Sequence, residues 1–365
     1  MKKFLDCISI VGATPSKFHG TKKYISTGAV ATTEIDESEV VEVTYEDRPS
    51  RANLSAEAGD ILFAKMQGTR KTLLLDSETE KNIYSTGFYA VRANPEVITT
   101  ECLYYLIDSE LFLAQKDKNC SGATQKAITN GGMAKIEISV PPLSEQGILV
   151  DKLKHLTQLI ADKKKQLNLF DEIIKSRFIE MFGTLSCNEH HYPMCALKYA
   201  CRKITDGKHG GCEQEYNSGY YYVGAREIYD GEIHYGTAPQ IVRGDFEKDY
   251  RRCNIEQGDF VLVNTGATIG KSAIAKHPLT ERTLLQKSVA MFKVKTELIS
   301  AVFLKCCYDA NPEMYTVKSA SAQPNLLLSR INSTQIYLPP IELQRQFAAF
   351  VEQVDKSKYH GEFTC

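Results

Sequence analysis

The sequence predicts an α+β protein: two similar globular domains separated by a long coiled-coil helix, with a second, shortened helix at the C-terminus. Three observations lead there. The chain repeats itself at an interval of 198 residues (Pro141 to Pro339), and each copy carries a short apolar run after a Gly-Asp turn. Each copy then leaves through a Pro-Pro pair into a heptad-spaced helical pattern.

The repeat is legible residue by residue. Val140-Pro141-Pro142-Leu143 followed by Gln146 returns as Leu338-Pro339-Pro340-Ile341 followed by Gln344, and Ser121…Gln125 returns as Ser319…Gln323. Arg51-Ala52-Asn53-Leu54…Gly59-Asp60-Ile61 answers Arg252-Cys253-Asn254-Ile255…Gly258-Asp259-Phe260. Constant order at nearly constant spacing predicts one domain over 1–143 and its copy over 183–341. In each, a Gly-Asp turn precedes four apolar residues, Ile61-Leu62-Phe63-Ala64 and Phe260-Val261-Leu262-Val263, which read as buried strands. Asn53, Gly87, Asn94-Pro95 and Asn130-Gly131-Gly132 read as turns. Glu101 to Gln115 reads as one helix with Leu103, Leu106, Ile107 and Leu111 on its apolar side.

Between the copies, residues 144–182 form the predicted central helix. Pro142 blocks extension upstream and Gly183 ends it, giving 39 residues and about 58 Å of length. Leu149, Leu153, Leu156, Ile160, Lys163, Leu167, Phe170, Ile174, Arg177 and Met181 follow the 3-4 spacing of a pairing seam. One small domain cannot cover so long a seam, so a partner helix is needed. Residues 342–365 supply one: Leu343, Phe347, Phe350 and Val354 keep the spacing, after which the pattern is lost. Against the first copy this helix is about 15 residues short. The shortening is expected to expose Leu167, Phe170, Ile174 and Met181, with impaired assembly or self-association as the consequence.

Composition narrows the class without naming a function. The 365 residues carry 44 Lys+Arg against 45 Asp+Glu, for a net charge of −1, which excludes a general coat of nucleic-acid affinity but not a local basic face. Eleven scattered cysteines read as reduced thiols, not a disulfide framework. No run of 18 apolar residues occurs, and the N-terminal apolar stretch is interrupted by Asp6 and Ser9, so a cytoplasmic protein is expected.

No segment makes a convincing catalytic centre. Gly266-Ala267-Thr268-Ile269-Gly270-Lys271-Ser272 imitates a phosphate loop, but three residues separate its glycines where four are needed to wrap the phosphates. A nucleotide-dependent phosphotransferase or hydrolase using Lys271 is therefore the weaker alternative. Cys187, His190, His191, Cys195, Cys201, His209 and Cys212 lack the close cysteine pairs of a zinc site, so no metal is expected. Polar clusters beside the repeated strands point elsewhere. In the first domain Arg48, Arg51, Lys65, Gln67, Arg70 and Lys71 surround the predicted strand and its exit. In the second, Lys208, His209, Arg226, Arg251, Arg252, Asn264 and Lys271 do the same. Arg and Lys suit phosphate and guanine, and Gln and Asn suit adenine, so these thirteen are the DNA-binding candidates.

With those residues in view, the chain resembles a type I restriction-modification DNA specificity subunit. The likeness rests on Gly59-Asp60-Ile61-Leu62-Phe63-Ala64, on Gly258-Asp259 and Gly266…Gly270, and on the two Pro-Pro exits with Gln146 and Gln344. It implies two target recognition domains, each reading one half of a split DNA sequence, with the two helices paired antiparallel to fix the spacing. It implies a non-catalytic chain without a cofactor of its own. S-adenosylmethionine, ATP and magnesium would serve its partners, two methyltransferase subunits and the restriction subunits. Segment charges of −3 over 1–143 and +2 over 183–341 fit weak, salt-sensitive DNA binding alone, with partners holding much of the phosphate backbone. A coiled-coil adaptor, or a defective variant of such a subunit, is the remaining alternative.

Overall fold

The computed structural model describes residues 1–317 and 324–360. The expected Ser319…Gln323 match and the last five residues of the tail lie outside them. By internal contacts the chain divides into two units, Met1–Asp162 and Lys163–Cys365, so the boundary falls inside the central helix.

The first unit holds two four-stranded sheets. One orders strands Ile8–Val11, Phe88–Ala93, Ile61–Ala64 and Thr72–Leu74, all antiparallel. The other orders Val41–Val43, Lys22–Ile25, Ile83–Ser85 and Ala52–Leu54. The run Ile61-Leu62-Phe63-Ala64 is buried on both faces because strand side chains alternate. Ile61 and Phe63 join Phe4, Leu103 and Phe112 under the helices, while Leu62 and Ala64 join Ile25, Leu73 and Tyr84 between the sheets. A continuous apolar run is what two-sided burial demands.

The second unit rebuilds the same frame. Strands Cys201–Asp206, Val289–Val294, Phe260–Val263 and Ser272–Ile274 form its antiparallel sheet. Phe260 and Leu262 face the helix-side core with Phe303 and Tyr308, and Val261 and Val263 face the opposite core with Val223 and Leu285. The pairing Ile61–Val91 recurs as Phe260–Phe292, and Ala64–Phe88 as Val263–Val289.

The repeated exit has a physical cause. Gln146 is fully buried: its Nε2 donates to the carbonyls of Val97 (3.0 Å) and Pro141 (2.9 Å), and its Oε1 accepts from Thr99 N (2.7 Å). Gln344, equally buried, donates to Leu298 (3.0 Å) and Pro339 (2.8 Å) and accepts from Ser300 N (2.9 Å). Thr99 and Ser300 are themselves the N-caps of helices Thr100–Ile107 and Ala301–Ala310. Each glutamine therefore staples the start of an exit helix to the start of the helix packed under its sheet. In each Pro-Pro pair the first carbonyl accepts from this glutamine side chain, while the second, Pro142 O or Pro340 O, accepts from the backbone of the exit helix.

A second matched device sits at the Gly-Asp turns. Asp60 accepts from Glu57 N (2.8 Å) and from Arg92 Nε (2.6 Å). Asp259 accepts from Glu256 N (2.8 Å) and from Lys293 Nζ (2.7 Å). The preceding Gly59 and Gly258 both take positive φ, +87° and +94°, where a side chain would be strained.

The central helix runs Leu143–Phe182, and Gly183 at φ +71° closes it. Gln146 and Val150 bury its first turns in the first unit, and Phe178 and Phe182 bury its last turns in the second. The helix Ile341–His360 packs antiparallel against that last stretch. Phe347 lies 5.5 Å from Phe178 and 5.4 Å from Phe182, while Lys358 Nζ reaches Asp171 at 2.7 Å.

Several sequence expectations are corrected here. The seam passes through Phe178 and Phe182 and bypasses Arg177, which is exposed and paired with Glu180. A straight helix turns 3.6 residues per turn, so a strict 3.5 pattern drifts off the contact face. Leu149, Leu156 and Ile160 are exposed; of the residues expected to be left open, Leu167 is exposed, Phe170 is half-buried, and Ile174 and Met181 pack against the second unit's core. The Glu101–Gln115 helix is two helices, Thr100–Ile107 and Glu110–Lys118, because Ser109 caps the second by accepting from Phe112 N; Leu111 faces solvent. Asn53 lies in a strand and Asn130 opens a helical turn.

Candidate nucleic-acid interface

In each unit some of the polar candidates gather where the central strand of the sheet ends. In the first unit Lys65 N donates to Gly87 O (2.9 Å) and Lys65 Nζ to Thr86 O (2.9 Å), with the ammonium 4.3 Å from the centre of the Tyr89 ring. Burial pushes the Lys65 ammonium below its ordinary value. Thr86 N in turn donates to Arg51 O, and Lys71 Nζ donates to Thr27 O at 2.6 Å. Arg51, Lys65 and Lys71 thus converge on one junction, with the Arg51 side chain exposed and carrying no hydrogen bond or ion pair among the described residues.

The remaining first-unit candidates are committed elsewhere. Arg70 makes a two-pronged pair with Asp108 (3.1 and 2.8 Å) and a third bond to Glu110 (2.8 Å), which raise its pKa further. Arg48 donates to Tyr45 O and stacks on the Tyr45 ring. Gln67 is exposed and donates to Asp117 O at 3.2 Å. A buried lysine absent from the candidates holds this edge together. Lys116 Nζ donates to the carbonyls of Ala64 (3.3 Å), Met66 (2.9 Å) and Thr69 (2.6 Å), fixing the strand exit from beneath.

In the second unit the corresponding edge carries Lys208 and His209. The backbone of Lys208 donates to Leu285 O (2.7 Å) and accepts from Lys287 N (2.9 Å), which lays this segment along the chain after strand Thr283–Leu285. Lys208 Nζ pairs with Asp249 at 2.5 Å, raising its pKa. Arg252 turns inward: it donates to Asp206 O (3.1 Å), Gly207 O (2.9 Å), the Asp206 carboxylate (2.5 Å) and His209 Nε2 (3.2 Å). Asn264 is buried, with Nδ2 on Leu326 O at 3.5 Å and its Oδ1 without a hydrogen-bond partner among the described residues.

Arg226, Arg251 and Lys271 are exposed, and their side chains make no ion pair among the described residues. Lys287 and Lys126, which sequence reasoning passed over, are also exposed beside these edges. The available signal for Lys287 was positional: it stands 201 residues after Thr86 in the same turn. The Gly266–Lys271 segment is a hairpin turn from strand Phe260–Val263 into the antiparallel strand Ser272–Ile274. A phosphate loop feeds a helix N-terminus instead, so the resemblance ends there. Gly270 takes φ +99°, and a Cβ there would lie 2.3 Å from the Tyr315 ring. Among the described residues no group of His, Cys, Asp and Glu has metal-site geometry, and no helix is long and apolar enough to cross a membrane.

Two copies of one sheet-and-helix frame, each with cations on the strand-exit edge and each delivering the chain into a helix, define a tandem-repeat scaffold. The chain belongs to the family described as the type I restriction modification DNA specificity domain, which it matches twice, over residues 10–169 and 203–360. The chain is 22% identical over 273 residues to the type I restriction enzyme EcoBI specificity subunit of Escherichia coli, which covers 67% of this chain but 56% of that protein. Among solved structures, it resembles the type I restriction-modification S subunit from M. genitalium, with a TM-score of 0.52 at 13% identity over 98% of this chain and 90% of that one. It also matches the HsdS subunit from Thermoanaerobacter tengcongensis, with a TM-score of 0.40 at 16% identity over 98% and 89%.

Proposed function

We propose that this chain is the non-catalytic DNA-reading subunit of a type I restriction-modification complex. Each repeat reads one half of a bipartite double-stranded target, and the helices Leu143–Phe182 and Ile341–His360 set the spacing and dock methyltransferase subunits. The observation that carries this reading is the duplicated frame: the same sheet, the same capped helix and the same buried glutamine staple, each leading into a helix. Two equivalent modules, each leading into a helix, suit a ligand with two separated half-sites.

The apolar residues left exposed on the central helix, among them Leu156, Leu159 and Ile160, support docking of further subunits on that face. Methyl transfer and cleavage, with S-adenosylmethionine, ATP and magnesium, then belong to the methyltransferase and restriction partners. Near-neutral repeats accord with partners supplying much of the phosphate contact.

Methylome sequencing of cells with and without the gene tests this. The expected result is a split methylated motif that disappears with the gene. A methylome unchanged by the deletion would overturn the reading. Mass measurement of the complex supplies the stoichiometry: two methyltransferases per chain is expected, and a self-associated chain that binds none would favour the adaptor alternative.

A further inference from the structure

The two strand-exit edges differ in one respect that points to a specific reading group. Strand pairing sets the equivalence: Val11 opposite Ala90 corresponds to Thr205 opposite Met291. The first unit therefore continues as Gly12-Ala13-Thr14-Pro15 where the second continues as Asp206-Gly207-Lys208-His209. In the first, Ala13 exchanges backbone hydrogen bonds with Ser55 at 2.9 Å each, and no cation or imidazole is present. In the second, the segment runs beside Gln286 and carries both.

His209 is held in place by its neighbours. Arg252 Nη2 lies 3.2 Å from His209 Nε2, and Asp206 Oδ2 lies 3.5 Å from the same nitrogen. A guanidinium only donates, so with Arg252 donating to Nε2 the other ring nitrogen, Nδ1, is the one left to meet a ligand. The Asp206 carboxylate, already bonded to Arg252 at 2.5 Å, balances that guanidinium charge. Arg252 is in turn fixed by the carbonyls of Asp206 and Gly207. The imidazole side chain is half exposed, and the two residues after it, Gly210 and Gly211, leave open space where any side chain would begin. Bare backbone on one flank permits a bulky ligand to approach the ring. The result is an oriented imidazole on an open edge, beside the exposed Lys287.

Resting on the specificity-subunit reading, we infer that His209 is a specificity-determining residue of the second repeat, donating from Nδ1 to an acceptor on a base edge. The shared chemistry is a hydrogen-bond acceptor on DNA, either base-edge or phosphate; a single donor whose direction the ring fixes suits the base edge, with guanine O6 or a purine N7 as the matching groups. Arg252 acts through it as a positioning residue.

The test uses the full chain expressed with its methyltransferase partners in a host lacking other methylation, with motifs mapped by methylome sequencing. His209→Ala is expected to relax one position of one half-site by about tenfold in preference, leaving the other half-site and the spacing intact. Arg252→Lys, which keeps the charge but not the fork, is expected to relax the same position more weakly. Three results would overturn the inference: an unchanged motif in H209A, a uniform fall in methylation at every site (a phosphate contact), or relaxation in the half-site read by the first repeat. A wild-type methylome with no split motif would overturn the underlying reading as well, and so is distinguishable from these.

Discussion

The two repeats are alike where they hold the chain and unlike where they meet solvent. Gln146 and Gln344 make the same three bonds, and Asp60 and Asp259 close the same turn, although Arg92 has become Lys293. At the strand-exit edge the agreement ends: Gly12-Ala13-Thr14-Pro15 faces Asp206-Gly207-Lys208-His209. Buried hydrogen bonds tolerate little substitution because an unpaired group is costly, whereas an exposed edge tolerates almost any side chain. The division separates what builds a module from what individualises it.

The strongest way to break this comparison is to remove a staple. Gln146→Ala and Gln344→Ala each strand two carbonyls and one N–H in the interior, at a cost of about 3 kcal/mol. The loss is expected to be alike in the two copies, measured as urea unfolding of the full chain. A strong loss in one and none in the other would show that the repeat is not energetic as well as geometric.

Lys116→Met is expected to come next, at about 2 kcal/mol, since three carbonyls of the Ala64–Thr69 exit lose their donor. The effect should be confined to the first unit, visible as faster hydrogen exchange in that exit. Protection lost equally in the second unit would contradict it.

Smaller effects sharpen the interface. Replacing Lys271, Arg226 or Arg251 by Ala is expected to lower the salt dependence of DNA binding by about one counterion for each residue in contact with phosphate. Arg70→Ala, by contrast, should leave that slope unchanged, because Asp108 and Glu110 already neutralise it. A larger slope change for Arg70 than for the other three would reverse the assignment.

Thiol reactivity is the mildest probe. Burial pushes Cys201 and Cys306 up to about 12 and Cys253 up to about 11, so these stay protonated thiols at neutral pH. Alkylation of the folded chain, followed by mass spectrometry, should label the exposed Cys187 first among the cysteines of the described residues. Early labelling of Cys306 would show that the second unit's core opens readily.

What the sequence revealed followed locality. The Pro-Pro exits, the Gly-Asp turns and the buried strands lie within a few residues of one another, so their duplication was plain. Ser109 was overlooked because the apolar spacing continues across it, although its side chain starts a new helix. The pairing seam was placed one residue off by Arg177, since Phe178 and Phe182 are selected by the core they enter and not by a heptad count. The interface suffered most. Arg70 is quenched by carboxylates 38 and 40 residues away, and Asn264 is buried by a segment 62 residues on. Such partners are fixed by the fold and leave no local mark.

The central claim is that each repeat reads its own half of the target. It is tested most directly by replacing residues 183–341 with the corresponding segment of another family member and mapping the methylated motif of the reconstituted complex. The account predicts that one half-site changes while the other half and the spacing persist. A motif in which both halves change together would contradict it.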